Sequence, residues 1–216
     1  MWPLLRKRST TVRLLFVLLI IVSIGLTVYR MFFILMVSAP LGAMKNTIMP
    51  GDRLIVNRAF GAIDRGRLVV FQYPNNSTYY LSRVIGLPGE TIQIRGRVVY
   101  INERPLDEQR VTAKETGEYD PLVELSREGK GPYKVFYTRT DEEHSDVDFP
   151  FAGDTSFRIP PKSYFVMSDN RDNAEDSRYH GAVPRELMWG NPSVIYYSVT
   201  IPDEHIRWGR MFEKVH

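Results

Sequence analysis

The chain contains no cysteine among its 216 residues. It therefore has no disulfide bond, no thiolate zinc site, no iron–sulfur cluster and no thiol nucleophile. This absence does not identify the compartment, because chains without cysteine occur both in the cytosol and outside the cell. Hydrophobic residues make up 44% of the chain and charged residues 25%, which is enough for a core and excludes global disorder. The length allows one domain, or one domain with a small insertion.

Acidic residues are absent from the first 38 positions, which carry a net charge of +5. The remaining residues, 39–216, have a net charge of −2. A nearly neutral body lacks the electrostatic footprint of a nucleic-acid-binding protein, so we expect no nucleic acid partner. The excess positive charge lies beside an apolar segment, which points to membrane lipid instead.

That apolar segment runs from Leu14 to Val28 without a charge. With flanking arginines that extend towards the lipid headgroups, it reaches the roughly 20 residues of a transmembrane helix. We predict a basic cytoplasmic segment at 1–13 and a transmembrane anchor at 14–30. Basic residues on the N-terminal side predict that this end stays inside and that the main domain lies outside the cytoplasmic membrane.

Two alternatives to an anchor remain. A cleavable signal peptide is disfavoured, because Pro40 directly follows the candidate site at Val37-Ser38-Ala39 and Arg30 interrupts the approach to it. The other alternative is a buried core helix. The apolar run at 31–37 is interpreted as core, as a segment on the bilayer surface, or as both.

Long stretches of helical periodicity are lacking after residue 38, and the pattern predicts a mostly β fold. Turn signals such as Pro50-Gly51-Asp52 and Pro88-Gly89 separate short β-rich runs, as in a sandwich or barrel. The predicted strands are 53–57, 67–72, 79–85, 91–95, 97–101, 133–138, 164–167 and 193–201.

Residues 103–158 are more polar and less periodic, and we predict that they form an inserted lobe. The β scaffold would then comprise 31–102 and 159–216. The acidic run at 141–148 is interpreted as a solvated loop, because it lacks the ordered spacing of a cation site. A short helix is predicted at Asp203–Phe212.

Four motifs follow one another along the chain. They are Pro40-Leu-Gly-Ala-Met44 with the following Lys45 to Asp52, Arg65 to Phe71, Leu81 to Gly89, and Tyr164 to Arg178, closed by Gly181 and Val183-Pro184. Their order resembles the bacterial type I signal peptidases, or leader peptidases. The resemblance covers most of 31–200. It implies a membrane-anchored serine protease on a mostly β fold that removes signal peptides from exported proteins with a Ser–Lys dyad and no cofactor.

The sequence departs from that family at the positions that carry the chemistry. Ala43 stands where the resemblance places the nucleophilic serine, and Ser82 stands where it places the lysine base. Ala174 replaces a serine that orients the lysine, and Ser168 replaces a glycine. Leu41 replaces a serine that contributes to the oxyanion hole.

A methyl group cannot attack a carbonyl, and a serine hydroxyl cannot accept a proton near neutral pH. We therefore predict that the chain does not cleave peptides through the family mechanism. A replacement dyad is the alternative. Ser82 or Ser168 could attack, but neither has an identifiable base beside it, and Lys45 would supply a base without a nucleophile. His180 is interpreted as a packing or surface residue. The dyad was lost either by natural drift or by laboratory inactivation. Four altered positions favour drift.

The rest of the motifs is retained, and the resemblance implies a peptide-binding cleft and its supporting frame. The residues assigned to it are Met44, Leu81, Arg83, Ser168, Asp169, Asn170, Arg171, Asp176 and Arg178. Asp52 is interpreted as a turn residue. Because strand-like peptide binding relies on main-chain hydrogen bonds, it can outlast cleavage.

Three functions follow as hypotheses. The first is a non-cleaving protein that binds exported preproteins, signal peptides, or other secretion and surface-assembly proteins. The second is a true signal peptidase in inactivated form, and the third is a structural subunit with a filled cleft.

Overall fold

The N-terminal helix is long enough and apolar enough to cross a membrane. In the computed structural model, which describes residues 3–38, 42–59, 61–73, 78–138 and 155–215, α1 extends from Pro3 to Phe33. Its segment Thr10–Arg30 has 21 residues, a mean hydropathy of 2.5 and no burial within the protein. At about 1.5 Å per residue this segment spans roughly the thickness of a bilayer core. The interpretation as a buried core helix is therefore wrong.

The described residues form fourteen strands. In chain order they are β1 Ile34–Ser38, β2 Asp52–Asn57, β3 Leu68–Phe71, β4 Tyr80–Gly86, β5 Thr91–Arg95, β6 Val98–Ile101, β7 Arg104–Pro105, β8 Gln109–Lys114, β9 Val123–Glu128, β10 Lys134–Tyr137, β11 Phe157–Arg158, β12 Ser163–Met167, β13 Val183–Pro184 and β14 Met188–Ser198. The prediction of a mostly β scaffold behind one N-terminal apolar helix is confirmed. Each predicted strand overlaps an observed one.

Three sheets organise these strands. The largest has the order β1-β2-β14-β3-β4-β12-β13, the second β11-β5-β6-β7 and the third β10-β8-β9. The named pairs are antiparallel except β10 with β8. Short antiparallel strands with one buried face explain the alternation of apolar residues in the sequence. The site described below lies where β4 meets β12.

Strand β1 continues directly from the helix and belongs to the large sheet. Ile34 pairs with Asn57 and Ser38 pairs with Arg53 of β2. Cleavage after Ala39 would remove β1 from this sheet, which argues against a cleavable signal peptide. Val37 is buried and Met36 is exposed, so within β1 one part of the apolar run contributes to the core and another does not.

The segment 103–158 contributes to two sheets. Strands β7 and β11 extend the four-stranded sheet, whereas β8, β9 and β10 form the three-stranded sheet around a small core, whose buried residues are Val111, Ala113, Leu122 and Phe136. The boundaries of the inserted lobe stay a prediction. The acidic run at 141–148 lies outside the described residues.

The predicted helix at Asp203–Phe212 is wrong. This segment holds a single 3-10 turn at Trp208–Arg210, and Glu204 and Phe212 have positive φ angles, which an α-helix excludes. An isolated bridge from Ile206 to Val199, just after β14, and hydrogen bonds from two arginines to Asp52 replace the helical contacts. Its apolar residues Ile206, Trp208 and Phe212 are exposed, so the segment has no buried apolar helix face.

Candidate active-site cleft

A turn between β1 and β2 holds the position of the expected nucleophile. Gly42 has a φ of 67°, a conformation that glycine adopts without strain. The amide of Asn170 donates to the carbonyl of Ala43 at 2.9 Å, and its side-chain amide donates to the carbonyl of Gly42 at 2.9 Å. Asn170, in the loop after β12, therefore holds the backbone at Ala43 through the carbonyls of Gly42 and Ala43. Leu41 lies outside the described residues.

Strand β4 holds the position of the expected base. Ser82 pairs with Val69 of β3, and its neighbour Arg83 pairs with Met167 at the end of β12. This register brings Ser168, the residue after β12, beside Ser82. Their hydroxyl oxygens lie 2.9 Å apart, and each side chain is 2% exposed. Two of the departures from the family motifs thus form one hydrogen-bonded pair.

These positions meet in one open cleft of about 810 Å³. The cleft is lined by Ala43, Leu81, Ser82, Ser168 and Ala174, all singled out from the sequence, and by Tyr80, Asp172, Asn173, Glu175, Tyr179 and His180. The structure therefore brings together three of the four motifs, in which Ala43 lies 39 residues before Ser82 and Ser82 lies 86 residues before Ser168. Within the described part of the chain, the lining contains acidic residues and a histidine but no lysine or arginine.

The other residues assigned to the cleft support it from behind. Met44 is buried in the main core, and Arg83, Asp169, Asn170, Arg171, Asp176 and Arg178 are buried without being among the residues that line the cleft. Their position fits the scaffold part of the prediction. Of the assigned residues, Leu81 and Ser168 line the cleft, and the contact of the set with peptide stays a prediction.

One supporting ion pair joins β4 to the loop after β12. The Arg83 guanidinium donates to both carboxylate oxygens of Asp169 at 2.8 and 2.7 Å. Burial alone would lower the pKa of Arg83, but the Asp169 carboxylate outweighs it and the pKa is raised. Asp169 also accepts a hydrogen bond from Thr47 at 2.6 Å. The pair thereby ties the turn that carries Ala43 to the strand that carries Ser82.

A second pair joins the loop to the segment 103–158. Arg171 and Glu108 form a hydrogen-bonded ion pair in which both side chains are 1% exposed. Burial alone would lower the pKa of Arg171, but the Glu108 carboxylate raises it. The backbone of β10 also hydrogen-bonds to this loop, from Phe136 to Asp169 and from Arg171 to Phe136. Sequence reasoning missed Glu108, because nothing in its neighbourhood in the chain marks a buried partner.

Asp176 stabilises the far end of the same loop. Its carboxylate accepts from the backbone amide of Ser168 at 2.9 Å and from the Arg178 guanidinium at 2.8 and 2.9 Å. It also caps a four-residue helix, α2, from Ser177 to His180. The backbone of Ser168 is therefore fixed independently of its side chain.

Lys45 does not serve as a base in the cleft. Its ammonium donates to the Glu115 carboxylate and, at 3.0 Å, to the carbonyl of Gly117. It is absent from the cleft lining. The alternative of a lysine base two residues beyond Ala43 thus lacks support from the geometry.

His180 lines the cleft, but it is not paired with a nucleophile. Its ring packs on Tyr73 with centroids 4.5 Å apart, and its Nε2 lies 3.8 Å from a carboxylate oxygen of Glu175, which is too long for a hydrogen bond. Across the described ranges, neither Ser82 nor Ser168 hydrogen-bonds to a histidine or lysine. No replacement dyad is formed there.

Asp52 has a larger role than that of a turn residue. It is fully buried and accepts hydrogen bonds from Ser198 at 2.6 Å, from Arg207 at 3.2 Å and from Arg210 at 2.7 Å. It therefore fixes the C-terminal segment against the end of the Ala43 turn. This role depends on residues about 150 positions away and leaves no local signal in the sequence.

No group of three histidine or acidic side chains in the described residues is placed to hold a metal ion. The expected lack of a cofactor stays a prediction.

Comparison with known proteins identifies the family. The profile described as "Signal peptidase, peptidase S26" matches residues 8–197. The chain belongs to the signal peptidase family. The signal peptidase I of Aquifex aeolicus is 30% identical over 200 residues, covering 76% of this chain and 75% of that protein. The signal peptidase I of Pseudomonas aeruginosa is 29% identical over 180 residues, covering 74% of this chain and 61% of that protein.

Among solved structures, a signal peptidase I from Enterococcus faecalis covers 62% of this chain and 98% of its own, with 25% identity and a TM-score of 0.38. The resemblance drawn from the four motifs is confirmed at the level of the family, whose function is the cleavage of signal peptides from exported proteins. Members of the family are membrane-anchored, and α1 fits that arrangement.

Proposed function

We propose that this chain is a signal peptidase homologue that binds exported preproteins through their signal peptides and does not cleave them. The observation that carries the proposal is the content of the cleft, where a methyl group and a hydrogen-bonded pair of serines occupy the positions of nucleophile and base. Acyl transfer requires an attacking atom and a proton acceptor beside it. Ala43 cannot supply the attacking atom, and Ser82 cannot act as the proton acceptor near neutral pH.

The open cleft favours binding over a purely structural role. Its volume of about 810 Å³ lies within the range of ligand sites. The frame around it, with the Arg83–Asp169 and Glu108–Arg171 pairs, remains complete. Exported preproteins and signal peptides are the proposed ligands, and other secretion or surface-assembly proteins are less specific candidates.

A paired assay on the purified full chain in detergent tests this function. A fluorescein-labelled signal peptide would be followed for binding by anisotropy and for cleavage by mass spectrometry, with a scrambled peptide of equal composition as control. We expect binding without cleavage. Cleavage would contradict the proposal and require another nucleophile, whereas absence of both would favour a structural subunit.

We also propose a single-pass topology in the bacterial cytoplasmic membrane, with the N-terminus inside and the β domain outside. The basic residues before α1 and the absence of acidic residues there support this orientation. Because the chain lacks cysteine, Ser9→Cys and Ser126→Cys each introduce a unique label site. A membrane-impermeant maleimide on intact cells should label the variant at 126 and spare the one at 9. The reverse pattern would contradict the orientation.

A further inference from the structure

The two serines at the floor of the cleft have one more proton than their mutual contact can use. Each hydroxyl carries one hydrogen and can donate once. The contact between Ser82 and Ser168 at 2.9 Å uses one of these hydrogens. The other hydrogen needs a second acceptor, because a buried donor that makes no hydrogen bond is costly.

The surrounding protein does not provide that acceptor. The backbone amide of Ser168 donates to Asp176 and its carbonyl accepts from Arg171, while Ser82 is part of the ladder between β3 and β4. Within the described residues, neither hydroxyl has a partner other than the opposite serine. Both residues are 2% exposed, and both line the cleft. The remaining O–H donor is therefore available to a ligand in the cleft.

We infer that the Ser82–Ser168 pair is a binding element that donates one hydrogen bond to a main-chain carbonyl of the bound peptide. A neutral carbonyl fits better than a carboxylate or phosphate, since the lining carries Asp172 and Glu175 and no lysine or arginine among the described residues. An anion would meet like charges there. This inference rests on the proposed peptide-binding function and assigns a role to the substituted base position.

The pair makes a distinctive prediction for mutagenesis. In Ser82→Ala or Ser168→Ala, the remaining hydroxyl is released from its partner and can donate to the peptide. In the double variant no hydroxyl remains. We therefore expect each single substitution to raise the Kd less than about 1.5-fold, and the double substitution to raise it about three- to tenfold, which is more than the product of the two single effects. Ser163→Ala, a buried serine of β12 outside the cleft, is the matched control.

A thioamide scan of the same labelled peptide tests the ligand side. Replacing one carbonyl oxygen by sulfur weakens it as an acceptor without changing the charge. Among the thioamide positions that weaken binding to the unaltered full chain, we expect one to have no effect on the Ser82→Ala/Ser168→Ala variant. This arm keeps the inference testable even if the double variant does not fold, because no thioamide effect on the unaltered chain would itself overturn it.

The outcomes separate this inference from the proposed function. Failure of the unaltered chain to bind the peptide overturns both. Binding by the unaltered chain with equal affinity in the double variant and in the Ser163→Ala control overturns the inference alone. Losses in the two single variants that multiply to give the loss in the double variant would also overturn it, because the two hydroxyls would then act independently.

Discussion

Restoring the dyad should require a third change, at Ser168. In Ser82→Lys the lysine Cγ takes the place of the serine oxygen, and it would then lie 2.9 Å from the hydroxyl of Ser168. Non-bonded carbon atoms prefer separations of about 3.5–4.0 Å. The lysine must therefore adopt another rotamer or displace the loop after β12, whose backbone is fixed by Asp176 and Arg171.

The cost can be estimated from the contacts. Overpacking a buried site costs about 1–3 kcal/mol, and loss of the hydroxyl pair costs about 1 kcal/mol. For a chain of this size each kcal/mol lowers the Tm by roughly 2–4 °C, so Ala43→Ser/Ser82→Lys should melt roughly 4–16 °C below the unaltered chain. Adding Ser168→Gly removes the clash, so it should restore most of the Tm that overpacking lowers.

Activity should follow the same order. A buried lysine is deprotonated more easily because burial lowers its pKa, but it must reach the serine at 43. We expect little or no cleavage from Ala43→Ser/Ser82→Lys and measurable cleavage from the variant that also carries Ser168→Gly. Ala43→Ser/Ser168→Gly, which lacks the base, is the control and should stay inactive, because loss of the base alone costs about 10⁶ in kcat.

Thermal unfolding in detergent and mass spectrometry of a signal peptide measure the two effects. Two results together would refute the reasoning. Ala43→Ser/Ser82→Lys would have the same Tm as the unaltered chain, and it would cleave the peptide as fast as the variant that also carries Ser168→Gly. Ser168 would then place no restriction on the base position.

Three other predictions concern the frame. Glu108→Gln should destabilise the protein by about 3–5 kcal/mol, because it leaves the Arg171 guanidinium buried without its counter-charge; denaturant unfolding measures the loss. Glu115→Gln should cost about 1.5–3 kcal/mol in the same assay and Lys45→Met clearly less, since the ammonium is 1% exposed and the carboxylate 44%. Burial raises the pKa of three tyrosines, so their ionisation disfavours the folded state. These residues are Tyr73, Tyr133 and Tyr137. The free energy of unfolding should be constant below the ordinary tyrosine pKa of about 10 and should fall above it by up to about 1.4 kcal/mol per pH unit for each tyrosine. Absorbance at 295 nm during an alkaline titration follows their ionisation.

Each of these has a direct control. Glu124→Gln breaks an exposed pair with Lys134 and should leave the denaturant midpoint unchanged, and an equal effect at Glu108 would contradict its assigned role. A loss in Lys45→Met that matches or exceeds that in Glu115→Gln would contradict the burial argument. Tyrosine absorbance that titrates fully near pH 10 in the folded protein would contradict the pKa direction.

Much of the fold could be predicted from local patterns. The apolar N-terminal helix follows from an uncharged apolar run, and strands such as β4 and β12 follow from β-rich runs between turn signals. Strands β8 and β9 were missed because their residues are mostly polar, and β9 is exposed along its whole length. The predicted C-terminal helix is wrong because this segment bonds to Asp52 and to the backbone of β14 instead of forming a helical ladder.

The candidate site divides in the same way. The motifs predict that the family chemistry is altered at Ala43, Ser82, Ser168 and Ala174, since a motif records residue types at fixed spacing. The sequence could not distinguish the residues that line the cleft from those that support it, because all of them lie in the same motifs. Burial and ion pairing separate them.

The sequence by itself determined the family, the apolar N-terminal helix and the β class of the domain, and it predicts the loss of the dyad groups. These properties depend on residue types and on spacing along the chain. Only the tertiary structure decided that Ser82 and Ser168 form one pair, that Glu108 neutralises Arg171, and that Lys45 is held by Glu115. Such contacts join residues 63 to 86 positions apart. They depend on strand register and on the low dielectric of the interior, which no local pattern records.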